Sequence, residues 1–184
     1  MEGKQDARPE MTWRQAVEFL VRLADVEDPQ KLKQWQVLRL VEECSLFLDL
    51  EGDGQPAREL EQAKKKPATL KPVIETMREL VRAVADHTRI QVRVGQTKAV
   101  LDASRLGDKR GAAFTDGRLV DVMTAQAVDD LGDAEPWQIC KCRWPSCGHV
   151  FLADRKGQVF CSHKCASAAS SARYQERKRP KSPN

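Results

Sequence analysis

Six cysteines occur in 184 residues, and five of them fall between Cys140 and Cys165. Cysteines gathered this way form disulfides, attack a substrate or bind a soft metal ion. The opening MEGKQDARPE lacks the apolar centre of a signal peptide, and no apolar run approaches the roughly 20 residues that span a bilayer. A soluble, cytoplasmic protein with no membrane partner is expected, and there thiols stay reduced and disulfides are rare. Metal is then the natural use of the cluster. In QICKCRWPSCGHVFLADRKGQVFCSHKC, four residues including Pro145 separate Cys142 from Cys147, and Gly148 follows, which suits a tight knuckle presenting two thiolates to one ion. Thirteen residues later come Cys161 and Cys165, with Ser162 as a suitable helix cap between them. Residues four apart share a helical face. Two converging pairs thus supply the soft ligands of a closed tetrahedral Zn2+ site, each sulfur about 2.3 Å from the metal.

Four thiolates leave no open position for a substrate, so the zinc is expected to be structural and the chain is not expected to be an enzyme. A segment of about 45 residues has too little core to fold alone, whereas zinc contributes about 10–16 kcal/mol in small finger peptides. Cys140, which alternates onto the strand face of Cys142, and His149 and His163 remain open as substitutes for one of the four ligands. Cys44 and His87 are expected to be a packed thiol and a capping or surface histidine. Trp13 and Trp35 are expected in the core or at a contact between domains. Asp49, Glu51, Asp53 and Gly54 open like a calcium loop, but the twelfth position is Leu60 and Pro56 intrudes, so a turn is expected. There is no glycine-rich phosphate loop and no dinucleotide fingerprint.

Charge and cysteine share one end of the chain. Residues 141–184 carry ten Lys and Arg against Asp154 and Glu176, or +8, which leaves −4 on residues 1–140 within the overall +4. A zinc ion with four thiolates adds −2, and the segment stays clearly basic. Beyond Cys165 the helix continues as ASAASSARYQERKRPK, with Ala169 and Ala172 on its inward face. Arg173, Tyr174, Arg177, Lys178 and Arg179 form a stripe suited to nucleic-acid phosphates, duplex DNA first among them.

The elements that must hold this apparatus read as mainly α with a small β-hairpin component. Thr12 can cap a helix with Ala16, Phe19, Leu20 and Leu23 on one face. Asp28–Pro29 suits the start of a second helix carrying Leu32, Trp35, Leu38 and Val41, running to about Leu50. Arg58 to Lys66 reads as a short exposed helix whose KKK run is solvated. A further helix after Pro72 presents Val73, Met77, Leu80, Val81 and Val84. Alternation predicts a strand over Arg89 to Val94, a turn at Gly95 and a partner strand including Ala99 to Leu101. A loop region around Gly107, Gly111 and Asp116–Gly117 precedes a helix over Arg118 to Leu131, which Gly132 stops. Val150 to Leu152 and Val159 to Phe160 are expected to pair around ADRKG. The domains expected are a helical sensor or regulatory domain over 1–136, a zinc finger over 137–179 (hairpin, then helix) and a disordered basic tail over 180–184.

At these residues the chain resembles the CGNR zinc-finger family of bacterial transcription regulators. The likeness lies in the cysteine pair of CRWPSC, the run Phe151, Leu152, Asp154 and Arg155, the aromatic–cysteine step Phe160–Cys161 and the basic RYQERKR, over about residues 118–179. The eponymous Cys-Gly-Asn-Arg stands here as Cys165-Ala166-Ser167-Ala168, so the resemblance carries the ligands Cys142, Cys147, Cys161 and Cys165 but no contact of the missing Asn and Arg. It implies a helical, ABATE-like domain sensing a small-molecule or protein signal, followed by a treble-clef-like finger that binds DNA in the nucleoid. A zinc-stabilised protein–protein interaction module is the alternative, and a redox-responsive zinc site the third possibility. Nothing in the residues sets the oligomeric state.

Overall fold

The computed structural model describes residues 11–48, 50, 54–94, 97–102 and 118–178. Thr12 starts helix α1 (Trp13–Ala24) with a capping box: its backbone N–H donates to the Gln15 side chain at 2.8 Å, while its hydroxyl accepts from the Gln15 N–H. Ala16, Phe19, Leu20 and Leu23 turn inward, as the periodicity predicts, and Val17, Val21 and Ala24 are buried with them.

The second helix differs from expectation. Asp28 accepts the Gln30 N–H at 2.9 Å, but it caps only a 3-10 turn, Pro29–Lys31, and α2 (Gln34–Phe47) starts afresh after Lys33. Val37, Val41, Cys44 and Phe47 are buried, whereas Trp35 and Leu38 are exposed, so Trp35 is neither core nor a domain contact. The physical reason is that α2 carries apolar residues on two opposite faces, and periodicity alone does not say which is buried. The packed Phe47 ring decides it, lying 5.4 Å from that of Phe19.

Helix α3 (Gln55–Lys65) buries Pro56, Leu60 and Ala63, so the charged piece is amphipathic rather than fully exposed; Lys65 and Lys66 are solvated. A 3-10 turn, Pro67–Leu70, feeds α4 (Lys71–Ala85), with Val73, Ile74, Met77, Leu80, Val81 and Val84 buried. Arg78 on α4 donates to the carbonyls of Ala24 at 3.0 Å and Val26 at 2.5 Å, closing the end of α1. Strands β1 (Arg89–Val94) and β2 (Thr97–Asp102) pair antiparallel from Arg89↔Asp102 to Val94↔Thr97. The turn expected at Gly95, the glycine-rich loop before Arg118 and the calcium-like residues Asp49, Glu51 and Asp53 lie outside the described residues. Helix α5 (Leu119–Gly132) packs on α4, and Trp13 ties α1 to it through a 2.8 Å bond from Nε1 to the Asp130 carbonyl.

After α5 come β3 (Ile139–Lys141), β4 (Val150–Leu152) and α6 (His163–Lys178). The partner of β4 is β3, in the register Ile139↔Leu152, Cys140↔Phe151 and Lys141↔Val150. The pairing with Val159–Phe160 expected from sequence does not form; Val159 accepts the Arg143 N–H at 2.9 Å outside the ladder. Packing favours the observed choice. Ile139, Val150 and Leu152 join the core that contains α1 and α4, while Cys140 and Phe151 point to a second cluster around Cys142 and Ala153. The chain is thus mainly α with small antiparallel hairpins, and β3–β4 is a partition with a core on each side. No helix among the described residues is long and apolar enough to cross a membrane.

Candidate metal centre

Four sulfurs meet on the far side of that partition. Cys142 follows β3, and its N–H donates to the His149 carbonyl at 2.8 Å; Cys147 closes the knuckle by donating to the Trp144 carbonyl at 2.9 Å. The chain then reverses at Gly148, whose φ of 60° is a left-handed conformation that glycine adopts without cost from a side chain. Cys161 precedes α6 and Cys165 lies in its first turn. Ser162 caps the helix as expected, its hydroxyl accepting the Cys165 N–H at 3.3 Å. Trp137, Trp144 and Phe160 pack around the cluster with half-buried Cys140, Cys147, Cys161 and Cys165.

The ligand atoms of Cys142, Cys147, Cys161 and Cys165 all lie within 4.8 Å of one another. Cys161 Sγ is 3.6 Å from Cys147 Sγ and 3.7 Å from Cys165 Sγ. Disulfide sulfurs would stand about 2.05 Å apart, whereas a tetrahedron with metal–sulfur bonds of about 2.3 Å has edges of about 3.8 Å. The cluster therefore has the dimensions of a coordination shell and could hold a metal ion. An all-sulfur tetrahedron suits zinc, or iron in its sulfur-ligated forms.

The surrounding electrostatics have the same sense. Burial pushes the Cys142 thiol up, but the backbone N–H groups of Cys161 and Trp144, together with the Cys161 and Cys165 thiols, outweigh it and bring the group down to about 7. Cys161 goes the other way, to about 12, through burial and the crowding of Cys147, Cys165 and Cys142. One sulfur ionises readily and a neighbour then resists. A divalent cation removes that conflict, which is why metal binding to thiols releases protons.

None of the three alternative ligands joins the cluster, the only such group among the described residues. The Cys140 thiol donates to the Trp137 carbonyl at 3.1 Å, and burial raises its pKa, so it stays protonated. His149 Nδ1 is 3.1 Å from the Asp25 carboxylate, and His163 Nδ1 is 3.3 Å from the Ser167 hydroxyl. Elsewhere, Cys44 is fully buried in the main core and its thiol is pushed up to about 12, chiefly by desolvation. His87 is exposed, at a positive φ of 52°.

Helix α6 leaves the cluster with little support of its own. Only Ala169 of its sixteen residues is buried, and Ala172 is half-buried on the same side. Arg173, Tyr174, Arg177 and Lys178 are all exposed, and the Lys178 ammonium sits 4.7 Å from the centre of the Tyr174 ring. Arg179 and the tail over 180–184 lie outside the described residues.

Sequence reasoning missed the contacts that seat the knuckle on the helices. Arg14 of α1 pairs with Asp154, Asp25 with His149 at 3.1 Å, and Asp86 with Lys141 at 3.4 Å. The partners are 55 to 140 positions apart, or 124 for Asp25 and His149, so no local pattern marks them. The one available signal was the opposite charge of the two parts, which two of the three pairs follow. Comparison with family models, with curated proteins and with solved structures found no match.

Proposed function

We propose that the chain is a zinc-finger nucleic-acid-binding protein, a DNA-binding transcription regulator whose helical part responds to a signal and biases how the finger is presented. Zn2+ bound by Cys142, Cys147, Cys161 and Cys165 is structural: it clamps the base of α6, and Arg173, Tyr174, Arg177, Lys178 and Arg179 meet phosphates. The observation that carries the proposal is the combination at one end of the chain. Sulfur separations of 3.6 and 3.7 Å match a tetrahedral shell, and the helix anchored there exposes its basic side chains. The assignment to bacterial regulators of the CGNR kind rests on the motif residues quoted above.

Elemental analysis of purified chain is expected to give one zinc per molecule. Gel-shift titration of the zinc-loaded chain with duplex DNA is expected to show affinity falling steeply with salt. Arg173→Ala with Arg177→Ala should reduce the slope of log K against log salt by about 1.8, since each neutralised phosphate contributes about 0.9. Binding that is absent, or independent of salt, would refute the proposal.

A second reading, a protein–protein interaction module, is favoured by one observation. Asp25, just past α1, faces His149, and Asp86, just past α4, faces Lys141 on β3, so contacts of a carboxylate with a basic side chain already operate within the chain. Capture of an acidic protein partner by nuclease-treated chain, with no DNA binding, would select it.

A further inference from the structure

Three of the four exposed large hydrophobic side chains among the described residues lie on α2: Trp35, Leu38 and Leu46, exposed by 59%, 43% and 38%. At 3.6 residues per turn, Trp35 and Leu46 are eleven residues and three turns apart, almost in line, with Leu38 close beside that line. The stripe is therefore one face about 16 Å long, opposite the face that buries Val37, Val41 and Cys44. Large apolar side chains collected on one solvent-facing stripe mark an interaction surface rather than ordinary scatter.

The charges within the stripe say what covers it. Arg39 and Glu42 fall on the same face between Trp35 and Leu46. A parallel copy of the helix would set Arg39 against Arg39 and Glu42 against Glu42. An antiparallel copy related by a two-fold axis sets residue i opposite residue 81 − i, which brings Trp35 to the partner's Leu46 and Arg39 to the partner's Glu42, each pair twice. Glu42 has no ion pair among the described residues, whereas Glu43 already serves Arg22 and Arg39, both at 3.1 Å.

We propose that the outward face of α2 is the docking surface for a second copy of this chain, antiparallel and two-fold, with Trp35–Leu46 contacts flanking two Arg39–Glu42 pairs. A two-fold contact is self-complementary by construction, and α2 supplies both halves of each pair. The surface is small, so the dimer is weak and depends on concentration. This assignment is independent of the nucleic-acid proposal.

Sedimentation over micromolar to near-millimolar chain is expected to show the mass rising from 20.7 kDa towards twice that value. Glu42→Arg and Arg39→Glu should each be monomeric alone, because each sets like charges face to face. Their equimolar mixture should recover the dimer, because one chain then presents arginine at both positions of the stripe and the other presents glutamate at both. Trp35→Ser, which disturbs no ion pair, should also be monomeric, with far-UV circular dichroism confirming that each variant is folded. A wild-type chain that stays monomeric, single variants that dimerise as well as wild type, or a mixture that fails to recover would each overturn the proposal.

Discussion

A strong chelator added to the metal-loaded chain is expected to melt one of the six α-helices among the described residues and spare the other five. Helix α6 has sixteen residues, buries only Ala169, and is held at its base by Cys161 and Cys165. Isolated helices of this length are marginal in water, so without the clamp α6 should fray. The other helices have 12, 14, 11, 15 and 14 residues and share a core that includes Phe19, Leu20, Val41, Phe47, Leu60, Ile74, Met77, Leu80, Leu119 and Met123, which is separate from the cluster around the four sulfurs. The ellipticity at 222 nm should therefore fall by about a fifth, the share of α6 among the described α-helical residues, and return when zinc is restored. Metal loss is verified in parallel with a zinc-sensitive dye. Full ellipticity after verified loss would mean that α6 does not depend on the clamp. Loss of nearly all of it would mean that the partition between the two cores is wrong.

Other outcomes follow from the same structure. Cys161→Ser should abolish stoichiometric zinc while Cys140→Ser leaves one zinc per chain, as elemental analysis of the two variants will tell. Ile139→Ala, in a residue 1% exposed that joins the hairpin to the helical core, should lower stability by about 2–5 kcal/mol in urea denaturation of the metal-loaded chain. Thr12→Ala removes the hydroxyl of the capping box and should cost about 1 kcal/mol in the same assay.

Much of this arrangement was legible because its signals are local. Thr12 as a cap, the stripe Val73, Met77, Leu80, Val81 and Val84, and the alternation over Arg89–Val94 each announce an element within a few residues. The cysteine cluster was legible for the same reason: cysteines at two short spacings, with Ser162 to turn the second pair into a helix. What failed depended on distance or on a choice between equals. α2 offers two apolar faces, and only the tertiary contact between Phe47 and Phe19 selects one. The sequence pointed β4 to Val159–Phe160, and β3 prevails because it lets Ile139 and Leu152 reach the helices together. The pairs Arg14–Asp154, Asp25–His149 and Asp86–Lys141 involve common surface residue types and become visible only once the chain is folded.

The hairpin β3–β4 gives the molecule a mechanical property. One side of it is seated against α1 and α4, and the other carries the knuckle from which a sixteen-residue rod about 24 Å long extends. A rearrangement among those helices that tipped the hairpin by about 10° would sweep the far end of the rod through about 4 Å. Small adjustments in the interior are thereby magnified at the tip, where Arg177 and Lys178 sit.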